Sequence, residues 1–156
     1  MLKSFYVLMN SKNIEKSLMK FRKISIKKVS QIIIKECIKE KLNYEIIEKN
    51  NNEFIVEISS SRKKTLIVFH KALAVTIYDY YKFIRLIQDR EIDKGVYITT
   101  GVFQQDVYNM AETDRFINRI KLLNGKDFVV KQRWIKRKKH HHISYDKLSF
   151  KSLFWG

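Results

Sequence analysis

Phe54-Ile55-Val56-Glu57-Ile58 and Thr65-Leu66-Ile67-Val68-Phe69-His70, separated by the polar stretch Ser59-Ser60-Ser61-Arg62-Lys63-Lys64, decide how this chain folds. Both runs have strand length and are rich in β-branched and aromatic residues, and the polar stretch between them suits a hairpin loop. The second run is apolar on both faces, which places it in the middle of a sheet rather than at its edge. Upstream, Tyr44 to Glu48 reads as a further short strand, with Asn50-Asn51-Asn52 as the turn into the hairpin. Three strands in a meander follow.

The flanking segments change period. From Lys28 to Leu42, Val29, Ile33, Cys37, Ile38 and Leu42 recur at helical spacing, and Asn43 offers the stop. After Thr76, the residues Ile77, Tyr80, Tyr81, Ile84 and Ile87 form a second stripe, with Asp79, Lys82, Arg85 and Asp89 on the other side. Gly95 to Thr100 reads as a strand, Gln104 to Thr113 as a helix and Ile117 to Leu123 as a last strand before the Asn124-Gly125 turn signal. A terminal helix begins at Asp127. The expected order is α-β-β-β-α-β-α-β-α, an α/β fold whose mixed central sheet is flanked by helices.

With 156 residues, 45% of them hydrophobic and 13% aromatic, the chain has enough apolar surface for one domain-sized core. Its apolar runs stop far short of the ~20 residues that a membrane helix needs, so no membrane partner is expected. A single cysteine, Cys37, excludes an intrachain disulfide and a cysteine-based zinc site. It suits a reducing, intracellular compartment, cytoplasmic or mitochondrial.

Charge is the loudest signal. Thirty-two Lys and Arg against sixteen Asp and Glu give +16, which points to a polyanionic partner, nucleic acid first. Lysine exceeds arginine and proline is absent, a bias that an AT-rich genome produces unaided, so distribution says more than total. Residues 1–41 carry a net +8, residues 42–129 a net +1 and residues 130–156 a net +7. Two basic ends therefore flank a near-neutral middle. Residues 1–27 read as a targeting segment, a basic arm or an ordinary first helix, and residues 127–156 as a basic helix and tail. In that tail Lys131, Arg133, Lys136, Arg137, Lys138 and Lys139 interleave with Trp134, a pattern suited to a nucleic-acid backbone and equally to a solvated helix end. His140, His141 and His142 follow. Consecutive residues diverge on any regular element, so they do not make a designed metal site.

Four stretches in order carry a family resemblance. Lys94-Gly95-Val96-Tyr97-Ile98-Thr99-Thr100-Gly101-Val102-Phe103, continuing to Ala111-Glu112, resembles the strand, Thr-Thr turn and helix of Mrr-type restriction endonuclease domains. Leu122-Leu123-Asn124-Gly125-Lys126 matches the family's following strand and turn. Ile67-Val68-Phe69-His70-Lys71 falls on its Val-Gln-x-Lys strand, and Leu42-Asn43-Tyr44-Glu45-Ile46 is similar to its Leu-Gly-Tyr-Glu-Val. The resemblance covers residues 28–126 and implies a restriction-endonuclease-like core.

It also implies a chemistry: metal-dependent DNA endonuclease activity, in which carboxylates hold Mg²⁺ and a lysine serves the scissile phosphate. Carried over, Lys71 matches the family lysine and Glu57 is the best match for the metal-binding acid, with Glu53 the weaker one. Lys63 and Lys64 in the hairpin loop, with the C-terminal cations, are then the expected contacts to duplex DNA. The pattern departs from the family at Phe69, which stands where the glutamine or acid belongs, and at Val29-Ser30-Gln31, where some members carry a helix-borne acid. His70 alternates to the face opposite Lys71, which suits a core or hydrogen-bonded role. Three readings follow: a Mg²⁺-dependent endonuclease acting through Glu57 and Lys71, a catalytically inactive nucleic-acid-binding protein, and a ribonucleoprotein subunit. A homodimer would suit the cutting of two strands.

Overall fold

The computed structural model describes residues 2–139 and 148–154, with the side chains of residues 3, 117 and 133–139 excepted. Its centre is a five-stranded sheet in the order β1-β2-β3-β5-β7. β1 (Asn43–Lys49), β2 (Glu53–Ser59) and β3 (Lys64–His70) form the antiparallel meander. β5 (Lys94–Thr99) and β7 (Ile120–Leu123) continue the sheet parallel to β3. This is a mixed α/β architecture with helices on both faces, consistent with a restriction-endonuclease-like core. A short parallel pair, β4 (Ala74–Val75) and β6 (Val102–Phe103), forms beside the main sheet.

β3 is the middle strand, and Leu66, Ile67, Val68 and Phe69 are all buried. Alternation sends Phe54, Val56, Ile58, Ile67, Phe69, Val96 and Ile98 to one face. There they meet α2 (Ser11–Arg22), α3 (Ile26–Lys39), the first turns of α6 (Gly125–Lys139) and the C-terminal residues Phe150, Leu153 and Phe154. Ile55, Leu66, Val68 and Tyr97 face the other way, onto α4 (Ile77–Asp89) and α5 (Gln105–Thr113). Each layer is thus specified by the parity of the strand residues.

Several elements differ from expectation for identifiable reasons. Residues 1–27 carry α1 (Leu2–Met9) and α2, and α2 commits Ile14, Leu18 and Phe21 to the core. The left-handed residue that ends α3 is Lys41 (φ 57°) rather than Asn43, with Leu42 N–H bonded back to the Cys37 carbonyl. In α4 the buried stripe is Tyr80, Phe83, Ile84 and Ile87, while Tyr81 is exposed. The last strand starts at Ile120, because residues 117–119 form a 3₁₀ turn, and α6 begins at Gly125. Among the described residues no helix is long and apolar enough to cross a membrane.

Candidate nucleic-acid interface

The structure does not bring Glu57 and Lys71 together. Glu57 lies opposite Leu66, whereas Lys71 follows His70, the partner of Glu53, at the far end of the same ladder. Five residues at ~3.4 Å per residue separate the two positions by about 17 Å along the strand. They also belong to opposite faces. Glu57 alternates with Ile55 toward α4, while Lys71 follows Phe69 onto the α3 side.

Glu57 has its own partners. Its Oε2 accepts from Arg90, the residue that caps α4, at 2.7 Å, and its Oε1 lies 3.8 Å from Lys64 Nζ. Arg90 reaches on to Glu45 at 3.0 Å, so one guanidinium ties β1 and β2 to the end of α4. That contact holds the Glu45 carboxyl below the usual range and raises the Arg90 pKa. Lys64, expected on DNA, also donates to the Arg90 carbonyl at 3.2 Å and so works inside the fold. Glu53 faces α4 as well, paired with Lys82 at 3.1 Å. Burial opposes the Lys82 charge, but the hydrogen bonds it donates to Glu48 and Glu53 outweigh that and raise its pKa.

Phe69 is fully buried. It meets Phe21 of α2 edge-on at 5.7 Å and Phe150 edge-on at 6.1 Å, while Phe128 of α6 stacks on Phe21 at 4.7 Å and on Phe150 at 5.3 Å. The position where the resembling family has glutamine or an acid is therefore one member of a four-ring aromatic cluster closed by α2, α6 and the C-terminal residue Phe150. His70 faces α4, with Nδ1 2.8 Å from the Tyr97 hydroxyl.

What gathers around Lys71 is a basic cleft of about 360 Å³, lined by Ser25, Ile26, Lys27, Lys49, Asn50, Asn51 and Lys71. Three elements build it. Ser25 caps α3 by accepting from Lys28 N–H at 3.1 Å, which presents the first turn of that helix. Asn50 Oδ1 accepts from the backbone N–H of Asn52 and Glu53 and folds the β1–β2 turn. Lys71 N–H donates to the Asn52 carbonyl at 2.7 Å, which pins the end of β3 beside that turn.

The lining contains no carboxylate. Ion pairs among the described residues engage Lys64, Lys82, Arg90 and Lys151 and leave Lys27, Lys49 and Lys71 without an acidic partner. Lys27 and Lys28 stand in the first turn of α3, where no acidic residue is present. Cations there oppose the helix macrodipole by about 0.3–1 kcal/mol each. An anion in the cleft reverses that sign, satisfying the lysines and the unbonded N–H groups of the first turn together.

Mg²⁺ does not fit these donors. The ion takes carboxylates, water and phosphate oxygens. Here the cleft offers amide, hydroxyl and ammonium groups, while Glu57 is held by two cations on the other face. Among the described residues no group of three or more His, Cys, Asp or Glu side chains is placed to hold a metal. Of the other expected contacts, Lys63 is in the β2–β3 hairpin loop and Lys131 is on α6. The side chains of Arg133, Lys136, Arg137, Lys138 and Lys139, and all of His140, His141 and His142, lie outside the described residues. The contributions of Lys27 and Lys49 were not visible in the chain, since they join Lys71 only when α3 and the β1–β2 turn meet the end of β3.

No family model and no curated protein matches the chain. Among solved structures, it is similar to a protein of unknown function, AF1548, at 13% identity and a TM-score of 0.39, over 59% of this chain and 54% of that one. It is also similar to the MspJI restriction endonuclease, solved in complex with a 27-mer oligonucleotide, at 14% identity and a TM-score of 0.34. That match covers 85% of this chain and 31% of that one. The chain thus spans about half of the first and under a third of the second.

Proposed function

We propose that this protein binds nucleic acid by its sugar-phosphate backbone, through the cleft of Lys27, Lys49 and Lys71, and does not hydrolyse it. The observation that carries the reading is the convergence, on the first turn of a helix, of three lysines that have no ion pair among the described residues, in a lining that contains no described carboxylate. Phosphate diesters are the anion of choice for such a site, because ammonium groups, backbone N–H groups and a helix N-terminus all favour spread negative charge. The net +8 of residues 1–41 and +7 of residues 130–156 add a long-range attraction for a polyanion.

A resemblance to Mrr-type endonuclease domains, in which Lys71 would match the family's lysine, supports this reading of the cleft. An inactive descendant of such a nuclease retains the phosphate-holding lysine and loses the acids. One departure favours that descent over a working enzyme: Phe69, where the family has glutamine or an acid, is a core residue. Duplex DNA is the expected ligand, and the reading requires no second copy of the chain.

The test is fluorescence anisotropy with a labelled duplex, comparing Lys71→Glu with Lys12→Glu, an exposed lysine of α2 that does not line the cleft. Charge reversal in the cleft is expected to weaken binding several-fold more than reversal at Lys12. Equal losses at both positions would reduce the cleft to an unspecific part of a cationic surface. Supercoiled plasmid incubated with the protein and Mg²⁺ or Mn²⁺ is expected to stay intact; cleavage abolished by Lys71→Ala would restore the hydrolytic reading.

A further inference from the structure

Apart from Lys3 and Ser4, the sequence of α1 is apolar throughout. Tyr6 is buried and Val7 packs against the core. On the other side Leu2, Phe5, Leu8 and Met9 are each more than half exposed, with Leu8 at 73% and Phe5 at 62%. A lone exposed leucine means little. Four such residues on one helix are different, because a helix that is apolar all round is ordinarily covered all round. Among the described residues the fold covers only one side of α1.

The exposed side leads into a row of cations. Asn10 alone separates α1 from α2, and the four-residue hydrogen-bond spacing runs through it. Asn10 N–H donates to the Tyr6 carbonyl at 3.1 Å, and Ile14 N–H donates to the Asn10 carbonyl at 2.9 Å. Helical phase therefore carries over from one helix to the next. Leu2, Phe5, Met9, Lys12, Lys16, Lys20 and Lys23 follow at steps of three or four, and all are exposed. Ile14, Leu18 and Phe21 of α2 turn into the core, in phase with Tyr6 and Val7. Glu15 is the one acidic residue of the two helices. A single face is thus apolar along α1 and cationic along α2.

We infer that α1 lies in the surface of an anionic lipid bilayer, with its exposed apolar side among the upper acyl chains and Lys12, Lys16, Lys20 and Lys23 against the headgroup phosphates. This inference is independent of the Lys71 cleft. The occupant follows from the composition of the face. A nucleic acid answers the lysines and leaves four apolar side chains in water. A second copy of the chain covers the apolar side and leaves the lysine row unanswered. An anionic bilayer satisfies both halves of the face. The eight residues of α1 make a helix about 12 Å long, far short of the ~30 Å hydrocarbon layer. A helix lying in the plane of the surface needs no such length, so the short apolar runs that exclude a spanning helix do not bear on this mode.

The test is flotation of the full chain with vesicles of phosphatidylcholine and phosphatidylglycerol in a three-to-one ratio, against vesicles of phosphatidylcholine alone. Binding is expected to the anionic vesicles only. A protein of this charge adsorbs to them at low salt in any case, so the decisive variant keeps the charge. Phe5→Ala combined with Leu8→Ala is expected to lower partitioning about tenfold and to remove the binding that survives high salt. Lys12→Gln and Lys16→Gln are expected to weaken it about fivefold each. All four side chains are exposed, so the melting temperature should hold, which a thermal scan verifies. Duplex DNA binding by the Phe5/Leu8 variant should match that of the unaltered protein. Anionic-vesicle binding that this variant keeps in full, equal binding to both kinds of vesicle, or no binding to either overturns the inference. A dimer in sedimentation that the same variant breaks assigns the face to a second copy and overturns it as well.

Discussion

Replacing Phe69 by glutamine restores the residue type expected at that position in a nuclease of the resembling family, and the structure says what it should do instead. The ring is completely buried between Phe21 and Phe150, with Phe128 stacked against both of them. Truncating a buried phenylalanine costs about 3–5 kcal/mol through lost transfer energy and the remaining cavity. A glutamine fills part of that volume but brings an amide with no partner among those rings, at about 1–3 kcal/mol. The gain in volume and the polar penalty roughly offset, so Phe69→Gln should destabilise the fold by about 4 kcal/mol. For a chain of this size each kcal/mol lowers the melting temperature by about 2–4 °C, a fall of roughly 12 °C in all. Urea denaturation followed by far-ultraviolet circular dichroism measures this directly, with Phe69→Leu as the apolar control, which leaves a smaller cavity, buries no amide and is expected to cost less. A loss below about 1 kcal/mol for Phe69→Gln, in a protein that then cleaves DNA with Mg²⁺, would refute the assignment of this position to the core.

Further outcomes follow from other contacts. Arg90→Ala leaves the nearly buried Glu57 with only the distant Lys64 and should cost about 2 kcal/mol at neutral pH, whereas Arg90→Ala combined with Glu57→Gln should cost less than Arg90→Ala alone; equal losses in the urea midpoint would show that the pair is not coupled. Glu91, which ends α4 with φ 53°, carries the strain of a left-handed non-glycine residue, and Glu91→Gly should stabilise the fold by about 0.5–1 kcal/mol in the same assay. Burial raises the Glu36 pKa even though its carboxylate accepts from Phe150 N–H at 2.9 Å. Between the ordinary carboxylate pKa and that raised value the folded state binds the proton that the unfolded state has released, so stability falls as pH rises through the window, and Glu36→Gln should flatten that part of the pH–stability curve.

The sheet was legible because its strands are short, β-branched and bounded by polar turns, and because Leu66 to Phe69 is apolar without alternation. That last feature placed β3 at the centre. The N-terminal helices were obscured by their lysines, although Ile14, Leu18 and Phe21 carry the three- and four-residue spacing of a packed helix. The end of α3 was misread because Asn43 is the more permissive residue by type, while the hydrogen bonds of the last turn select Lys41.

The site was half legible. Lys71 stood out by its place after a central strand. Glu57 did not belong with it, because the hairpin register sets Lys71 opposite position 52 and turns Glu57 to the other face. Register is a property of the turn, and a six-residue polar loop does not fix it from the sequence. Lys27 and Lys49 lie 44 and 22 residues before Lys71, with no local pattern to link them. Only packing assembles the three.

The most direct measurement of the central claim is the salt dependence of duplex binding by the unaltered protein and by a variant with Lys27, Lys49 and Lys71 all changed to alanine. Each lysine that neutralises a phosphate contributes about −0.9 to the slope of log affinity against log salt concentration. The account predicts a slope shallower by about 2.7 in the triple variant, with melting temperature preserved. An unchanged slope, with affinity intact, would contradict it.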